Sequence, residues 1–281
     1  MVCPTKRMSR PALFAAILAV ALATTVAAQP SADLHDYVLF AETSIKMKDA
    51  NIVSGDVGVN AFEGRLIAAH TFSAPGSVVA ADEVRFDKEP ANSVMQQLYA
   101  NVVDSGPDGM PFATPIVADL AAGCDFPSPF PGCDEESPVG VDPGITVTLQ
   151  PGTYGTLRMR GTPAAAGVIQ LTGGTYVFCD LKLSRNAEIH ALAPSTLQVV
   201  ERASFGPNTI FGPATGSGLE ADDVQLFVAG SLVKFSRGAF SQANVCAPLG
   251  KLKMAADGTH VGMHVADSIK AQPVTLSLTA E

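Results

Sequence analysis

Cationic side chains recur at matching positions in the C-terminal part of this chain. The five residues are Lys182, Arg185, Lys234, Arg237 and Lys253, and each lies beside a large apolar residue or a short turn-forming segment. If these segments are equivalent parts of a repeating structure, the cations stack on one outward side. There they can bind an anionic glycan, a lipopolysaccharide or the acidic part of another surface protein. The alternative interpretation is that they keep a sheet surface soluble and block pairing at its edges.

Acidic and histidine residues offer little for catalysis or metal binding. Asp222 and Asp223 form the only adjacent acidic pair in the repeat region, and in a strand their side chains would face opposite sides. His260 and His264 would be about 13 Å apart along a strand. Acidic stretches 104–109 and 134–136 match no defined calcium loop. We therefore expect no catalytic residue, no metal and no cofactor. A polysaccharide lyase or hydrolase is the alternative, although the chain has no Trp and only 4 Tyr for sugar stacking.

Short repeats indicate the structure that positions these residues. The segment Leu149-Gln150-Pro151-Gly152-Thr153-Tyr154 returns 22 residues later as Leu171-Thr172-Gly173-Gly174-Thr175-Tyr176. Four further segments align as a column that begins with a large apolar residue and ends with Asn, Gly or Asp, residue types that tolerate left-handed backbone. These segments are Leu183–Asn186, Phe205–Asn208, Phe235–Gly238 and Met254–Asp257.

The repeat length predicts an all-β fold. About 22 residues suffice for three strands of 5–6 residues with their turns, and a repeat this small must stack on its copies to bury its apolar face. We therefore predict a parallel β-solenoid, with a β-sandwich as the alternative. Residues 29–281 form one domain in this prediction. The apolar spacing of Val94, Leu98 and Val102 predicts one flanking helix over 90–103. An acidic, Pro/Gly-rich extension follows over 104–145, and the repeats proper occupy 146–281.

The N-terminus and the cysteines predict export. Residues 1–28 have a basic start, an apolar stretch and small residues before Gln29, as in a signal peptide, with a membrane anchor as the alternative. We expect the mature chain to be secreted, periplasmic or at the cell surface. Four cysteines remain, and the short separation of Cys124 and Cys133 predicts a disulfide between them. Cys179 and Cys246 either pair with each other or are buried thiols, and the second alternative is favoured.

Charge excludes one class of partner. The chain carries a formal net charge of −9, and residues 29–157 have 18 acidic against 5 basic residues, a net of −13. A phosphate backbone would repel such a protein, so we expect no nucleic-acid partner. Nor does any segment after residue 28 have the length and hydropathy of a membrane span.

Two segments near the start of the mature chain carry a family resemblance. Phe40-Ala41 followed by Gly55-Asp56-Val57-Gly58-Val59 resembles the opening of bacterial ice-binding-like β-solenoid domains. The C-terminal repeats, 181–191 and 233–248, are also similar to uncharacterised bacterial cell-surface and pilus-associated solenoid domains. The resemblance implies a right-handed β-helix with a helix alongside.

Function is predicted from the outward column rather than from this resemblance. Ice binding requires a flat face of small hydroxyl and methyl groups, whereas the repeating column here presents long cations. The sequence therefore predicts an exported, non-enzymatic solenoid with a structural or adhesive role. A polysaccharide-acting enzyme is the first alternative, and an ice-binding protein is the second.

Overall fold

The chain is described by a computed structural model that covers residues 30–60, 62–87, 93–105 and 118–279. The predicted signal peptide, 1–28, lies outside the described residues. Within the described ranges, no helix is both long enough and apolar enough to cross a membrane.

Parallel strands dominate the fold. One 22-stranded sheet is coiled into a solenoid, and every ladder between two of its strands is parallel. The strands are β1 Tyr37–Ile52, β2 Asp56–Val59, β3 Arg65–Ala80, β4 Glu83–Asp87, β5 Val94–Tyr99, β6 Val102–Asp104, β7 Val139–Val141, β8 Thr146–Leu149, β9 Gly152–Thr153, β10 Leu157–Met159, β11 Val168–Leu171, β12 Gly174–Leu183, β13 Glu188–Ala191, β14 Ser195–Phe205, β15 Ile210–Pro213, β16 Val224–Val228, β17 Leu232–Phe235, β18 Phe240–Gln242, β19 Asn244–Met254, β20 Gly258–Val261, β21 His264–Ala271 and β22 Val274–Ser277. The predicted all-β solenoid is confirmed.

Each turn of the solenoid contributes one segment to each of three faces. In one turn, residues 181–183 lie on face A, 188–191 on face B and 195–199 on face C. Face A consists of 139–141, 157–159, 181–183, 203–205, 233–235, 252–254, 269–271, 45–47, 66–68, 84–86 and 102–104, in spatial order. The faces enclose a continuous apolar core.

The predicted column of apolar residues is confirmed. Leu183 pairs with Phe205, Phe205 with Phe235, and Phe235 with Met254. All four side chains are buried, and the rings of Phe205 and Phe235 stack with their centroids 4.5 Å apart. The repeat therefore places one large apolar side chain per turn in the core.

The predicted turn residues share one backbone conformation. Asn186, Asn208 and Asp257 have φ values of 54°, 53° and 62°, and Gly238 has a φ of 69°. This left-handed conformation favours Gly, Asn and Asp over other residues. These turns of the solenoid pass through the same left-handed corner, which explains why this position is always Asn, Gly or Asp.

The 22-residue repeat of Leu149–Tyr154 in Leu171–Tyr176 predicts the strand register correctly for its first half only. Leu149 pairs with Leu171, as predicted. At the next corner the register slips by two residues, so that Tyr176 pairs with Gly152. Tyr154 instead stacks on Phe178, with the ring centroids 5.4 Å apart.

The N-terminal turns stack on the C-terminal ones. Ile45 in β1 pairs on one side with Ile269 in β21 and on the other with Leu66 in β3. As a result β6 lies at one end of the solenoid and β7 at the other. The solenoid resumes at Val139 rather than at the predicted residue 146, and we call the segment before it, of which residues 118–138 are described, the crossing segment.

The described part of this crossing segment covers face C and is anchored there by two disulfides. It contains helix α1, Leu120–Gly123, whose N-terminus is capped by the Asp119 carboxylate. Cys124 pairs with Cys246 and Cys133 with Cys179. The predicted Cys124–Cys133 disulfide is therefore wrong, and so is the interpretation of Cys179 and Cys246 as free thiols. The two cysteines of each disulfide are distant in sequence, 122 and 46 residues apart, so the spacing of the cysteines does not reveal the pairing.

The crossing segment gives face C a second apolar layer. Phe227 and Val265 point outward from the solenoid yet are buried, because Leu34 and Leu120 pack over them. The ring of Phe126 meets that of Phe227 edge-on, with centroids 6.0 Å apart.

The predicted flanking helix over 90–103 is wrong for the described residues. Residues 94–99 form β5, which pairs with β3, and 102–104 form β6. Leu98 is buried, whereas Val94 and Val102 are 51% and 55% exposed. The helical spacing of these three residues does not mark a common buried face, because pairing with the preceding turn outweighs a weak local pattern.

Candidate anion-binding face

Four lysines from four consecutive turns form one outward row on face A. Lys234 pairs with Lys253, Lys253 with Lys270, and Lys270 with Lys46. All four side chains are exposed, while the residues beside them in each strand are buried. At the strand spacing of about 4.8 Å, the row is about 14 Å long. We call these four residues the lysine column.

The lysine column is bounded by a neutral residue at each end. Ser204 lies next to Lys234, and beyond it the row continues with Lys182 and Arg158. At the other end, Ile67 lies next to Lys46, and Arg85 follows. The column is thus the unbroken centre of a longer cationic row.

Two cations of the longer row, Lys182 and Arg85, have acidic partners. The Lys182 ammonium lies 2.7 Å from the Asp180 carboxylate, which also accepts a bond of 3.1 Å from Arg202. Arg85 lies 2.6 Å from Asp87. Among the described residues, no carboxylate forms an ion pair with any lysine of the column. Its like charges repel one another, and a bound anion would relieve that repulsion.

A shallow depression lies between three lysines of the column. It has a volume of about 150 Å³ and is lined by Lys234, Lys253, Lys270 and Gln272, together with Ala255 and the strand backbone. The Gln272 amide adds a neutral hydrogen-bonding group to the three ammonium groups. This combination suits an oxyanion that also carries hydroxyl groups.

The adjacent row on face A adds one further cation without an ion pair, Lys251, beside the lysine column, whereas Arg202 at the end of this stretch forms an ion pair with Asp180. Arg202 pairs with Leu232, Leu232 with Lys251, and Lys251 with Ser268, which pairs with Ser44. Lys251 is exposed and lies two residues before Lys253 in the same strand, so that both side chains point outward. The positive stripe is therefore widest at the centre of the lysine column.

Acidic residues flank this stripe at both corners of the solenoid. Glu42 and Asp267 lie at the corner that leads into face A, and Asp49 and Asp257 lie at the corner that leaves it. The unpaired lysines of face A therefore lie between carboxylates at both corners, of which Asp257 is paired with Arg237.

The structure separates the five sequence-predicted site residues into two groups. Lys234 and Lys253 are adjacent in the column, and Lys182 is in the same row beyond Ser204. Arg185 and Arg237 lie instead at the corner, where Pro207 separates them. The backbone N–H of Asn186 donates to the Pro207 carbonyl, and the backbone N–H of Asn208 donates to the Arg237 carbonyl. Arg237 is paired with Asp257 at 2.7 Å.

Two members of the column were missed by sequence reasoning. Lys270 lies in Ser268-Ile269-Lys270-Ala271, whose alternation matches Lys251-Leu252-Lys253-Met254 and was a usable signal. Lys46 adjoins Lys270 only because the first turn stacks on the last, and no local pattern indicates that contact.

The acidic pair of the repeat region has structural partners. Asp222 and Asp223 lie in and at the end of a 3-10 turn, Ala221–Asp223. Asp222 accepts a hydrogen bond of 3.0 Å from Asn244 Nδ2, and Asp223 accepts one of 2.9 Å from the Glu220 amide. Among the described residues there is no group of three or more His, Cys, Asp and Glu that could hold a metal ion.

His260 and His264 are closer together than the sequence predicts. The chain bends at Gly262, where φ is 111°, so both imidazoles point into the core with ring centroids 5.9 Å apart. The expected separation along one strand is thus wrong. Burial lowers the pKa of both imidazoles, that of His264 to about 4. Ser241 Oγ lies 2.8 Å from His260 Nδ1, and the Nε2 atoms of both rings have no hydrogen-bond partner.

Face B presents a different kind of surface over the same turns. Its outward row includes Thr259, Thr275, Asn51 and Ser73 in four consecutive turns. On one side of this run lies the larger apolar side chain of Phe240, and on the other that of Val94. The face thus contains a short uncharged stretch with small polar groups.

Comparison with solved structures identifies ice-binding β-solenoids as similar in fold. An ice-binding protein from an Antarctic Biological Consortium is 15% identical, with a TM-score of 0.41 and coverage of 88% of this chain and 90% of that one. One from an Antarctic bacterium of the Flavobacteriaceae is 17% identical, with a TM-score of 0.45, covering 90% and 48%. The ice-binding protein_1 DUF3494 domain of Shewanella frigidimarina is 16% identical, with a TM-score of 0.39, covering 90% and 99%.

These values support a likeness of fold and nothing finer. The predicted resemblance to ice-binding-like β-solenoid domains is confirmed in that sense. No protein-family model matches the chain, and no curated protein matches it either.

Proposed function

We propose that this protein is an exported, non-enzymatic β-solenoid that adheres to an anionic glycan or surface protein through the lysine column. The observation that carries the proposal is the unbroken run of Lys234, Lys253, Lys270 and Lys46, which have no ion-pair partner among the described residues. Four like charges held in line by rigid strands form a preorganised surface for a partner of opposite charge.

The proposal assigns no catalytic residue. General acid–base catalysis requires a positioned proton donor or acceptor beside the substrate. On face A the nearest ionisable neighbours of the column are further cations, and Asp222 and Asp223 are engaged in hydrogen bonds elsewhere.

Export is supported by the cysteine pairs and by the N-terminal sequence. Disulfides persist in oxidising compartments and are rare in a reducing cytosol, and the described chain has two. N-terminal sequencing of the exported protein is expected to begin at or near Gln29. Recovery of the intact N-terminus in the cytoplasm would contradict this part of the proposal.

The adhesive role is tested with matched charge variants. The triple variant K234A/K253A/K270A removes three charges from the column, and the control R160A/R185A/R237A removes three exposed cations that lie outside the column and outside its adjacent row. Binding to immobilised heparin, polygalacturonate and neutral dextran is measured at several salt concentrations. We expect the column variant to lose roughly tenfold or more in affinity for the anionic matrices. The control should retain most of its binding, and dextran should not be bound.

Equal losses in the two triple variants would show that net charge, rather than the column, governs binding. Absence of binding to either anionic matrix by the unaltered protein would contradict the proposed function.

Ice binding is a second candidate, favoured by the outward row of face B. Thr259, Thr275, Asn51 and Ser73 give four consecutive turns without a long or charged side chain. The test is an ice recrystallisation assay that compares the unaltered protein with T259K/T275K. Inhibition that is lost in this variant but kept in K234A/K253A/K270A would establish this function on face B.

A further inference from the structure

We infer that the partner of the lysine column is a linear acidic polysaccharide that carries an acid group on each sugar unit and lies parallel to the solenoid axis. This inference rests on the proposed function and specifies the chemical class and orientation of its ligand. It follows from the width of the positive stripe, its regular spacing, its surroundings and its length.

The width of the stripe favours a thread-like ligand over a broad anionic surface. Glu42 and Asp267 at one corner and Asp49 at the other flank the column on both sides, while Asp257 at the second corner is paired with Arg237. A membrane or another flat anionic surface laid on face A would bring its charges against these carboxylates. A single polymer chain along the column meets ammonium groups and avoids them.

Regular spacing favours a polymer over a protein partner. The lysines repeat once per turn, at about 4.8 Å, because each belongs to the same position of its strand. Carboxylates on the surface of a protein that is not a solenoid have no such period. In this chain, Asp119 caps α1 and Asp134 accepts bonds from the Glu136 amide and the Ser137 hydroxyl. A polysaccharide with one acid group per unit presents charges at short, regular intervals.

The surroundings of the column indicate recognition by charge rather than by stacking. Its neighbours in the adjacent row of face A are Leu232, Lys251, Ser268 and Ser44, and this described stretch contains no aromatic residue. A depression of about 150 Å³ accommodates part of a sugar unit. Gln272 at its edge can bond to a sugar hydroxyl.

The length of the column sets the number of acid groups that bind. Ser204 and Ile67 interrupt the row at its two ends. A ligand with an acid group on each unit can therefore satisfy four lysines at once. One with an acid group on every second unit meets about half as many.

The first experiment varies the ligand. Oligogalacturonates of increasing length, with a carboxylate on each unit, are titrated by calorimetry, alongside hyaluronan oligosaccharides, which carry one on every second unit. Affinity for the oligogalacturonates is expected to rise with length up to about four or five acid groups and then to level off. The slope of log affinity against log salt should approach about −3, from about −0.7 for each of four neutralised charges.

The second experiment varies the column while keeping the change in charge constant. K253A leaves runs of one and two lysines, whereas K46A leaves a run of three. We expect K253A to weaken binding of the longest oligogalacturonate about tenfold and K46A about threefold. S204K fills the gap between Lys182 and Lys234. It extends the run of unpaired lysines from four to five, because Lys182 is paired with Asp180, and should tighten binding of the longest oligogalacturonate, a gain that misfolding cannot produce.

The outcomes separate this inference from the proposed function. Binding that is independent of ligand length and charge spacing, with equal losses in K253A and K46A, would overturn the inference and leave the proposed function standing. Binding to vesicles of anionic phospholipid but not to oligogalacturonates would also overturn it. If no anionic probe binds, the proposed function fails, and this inference fails with it.

Discussion

Replacement of Phe235 by Ala is the most direct test of how the lysine column is held in place. Phe235 is fully buried, stacks on Phe205 at a centroid distance of 4.5 Å and lies 4.9 Å from the His260 ring. Lys234 is its neighbour in β17, and its side chain points to the opposite side of the strand. One strand therefore offers a buried position and an exposed position as a matched pair.

The expected cost of Phe235→Ala is about 3–5 kcal/mol of unfolding free energy, because it removes a buried ring and leaves a cavity that rigid turns on both sides cannot close. Phe235→Leu keeps much of the volume and loses chiefly the aromatic contact, which is worth about 1 kcal/mol. Lys234→Ala should change stability by no more than about 0.5 kcal/mol, since its side chain is exposed and unpaired.

The measurement is urea unfolding followed by circular dichroism, with the slope of free energy against urea compared among the three variants. An unchanged slope means that stability rather than compactness has changed. Similar costs for Phe235→Ala and Lys234→Ala would refute the assigned alternation of β17. A cost below about 1 kcal/mol for Phe235→Ala would refute the stacked core at this turn.

Three further predictions concern buried histidines, a disulfide and a corner. Burial depresses the pKa of His264 to about 4 from 6.5, so the unfolded chain binds more protons between these values. The buried, neutral His264 imidazole contributes fully to the free energy of unfolding above about pH 6.5. About 3 kcal/mol of that free energy is lost as the pH falls toward 4. Lowering of the His260 pKa adds to this loss. Unfolding titrations across this range test it, and His264→Leu should flatten the dependence. Substituting Cys124 and Cys246 with Ala should cost about 2–5 kcal/mol, as expected for opening a loop of 122 residues. Non-reducing peptide mapping of the unaltered protein checks the pairing, and a Cys124–Cys133 peptide would contradict it. Asn208→Ala should cost about 1 kcal/mol at its φ of 53°, whereas Asn208→Gly should cost little. Equal thermal shifts for these two variants would argue against backbone strain as the cause.

The candidate site could be predicted in part from sequence. Lys234 and Lys253 were identified because each precedes a large apolar residue that the repeat places in the core, so the alternation of a strand turns the lysine outward. Lys182 follows the same rule, but Asp180, two residues earlier in the strand, neutralises it. Lys46 was not identifiable, because its contact with Lys270 joins residues more than 200 positions apart.

The helix predicted at 90–103 shows where periodicity misleads. Val94, Leu98 and Val102 have helical spacing, yet β3 provides a ladder for 94–99 that satisfies the backbone and buries Leu98. A short apolar pattern has little energy of its own compared with such pairing.

The sequence by itself determined the solenoid turn. Every turn must pass through the same left-handed corner and bury one side chain beneath it, so Asn186, Asn208 and Asp257 recur at short range, and the chain shows its period locally. Only the tertiary structure decided how the turns are ordered, which cysteines pair, and that His260 and His264 share the core. Those features arise when the first turn docks on the last and the crossing segment returns along face C. They depend on surface complementarity between distant segments, which leaves no period in the sequence.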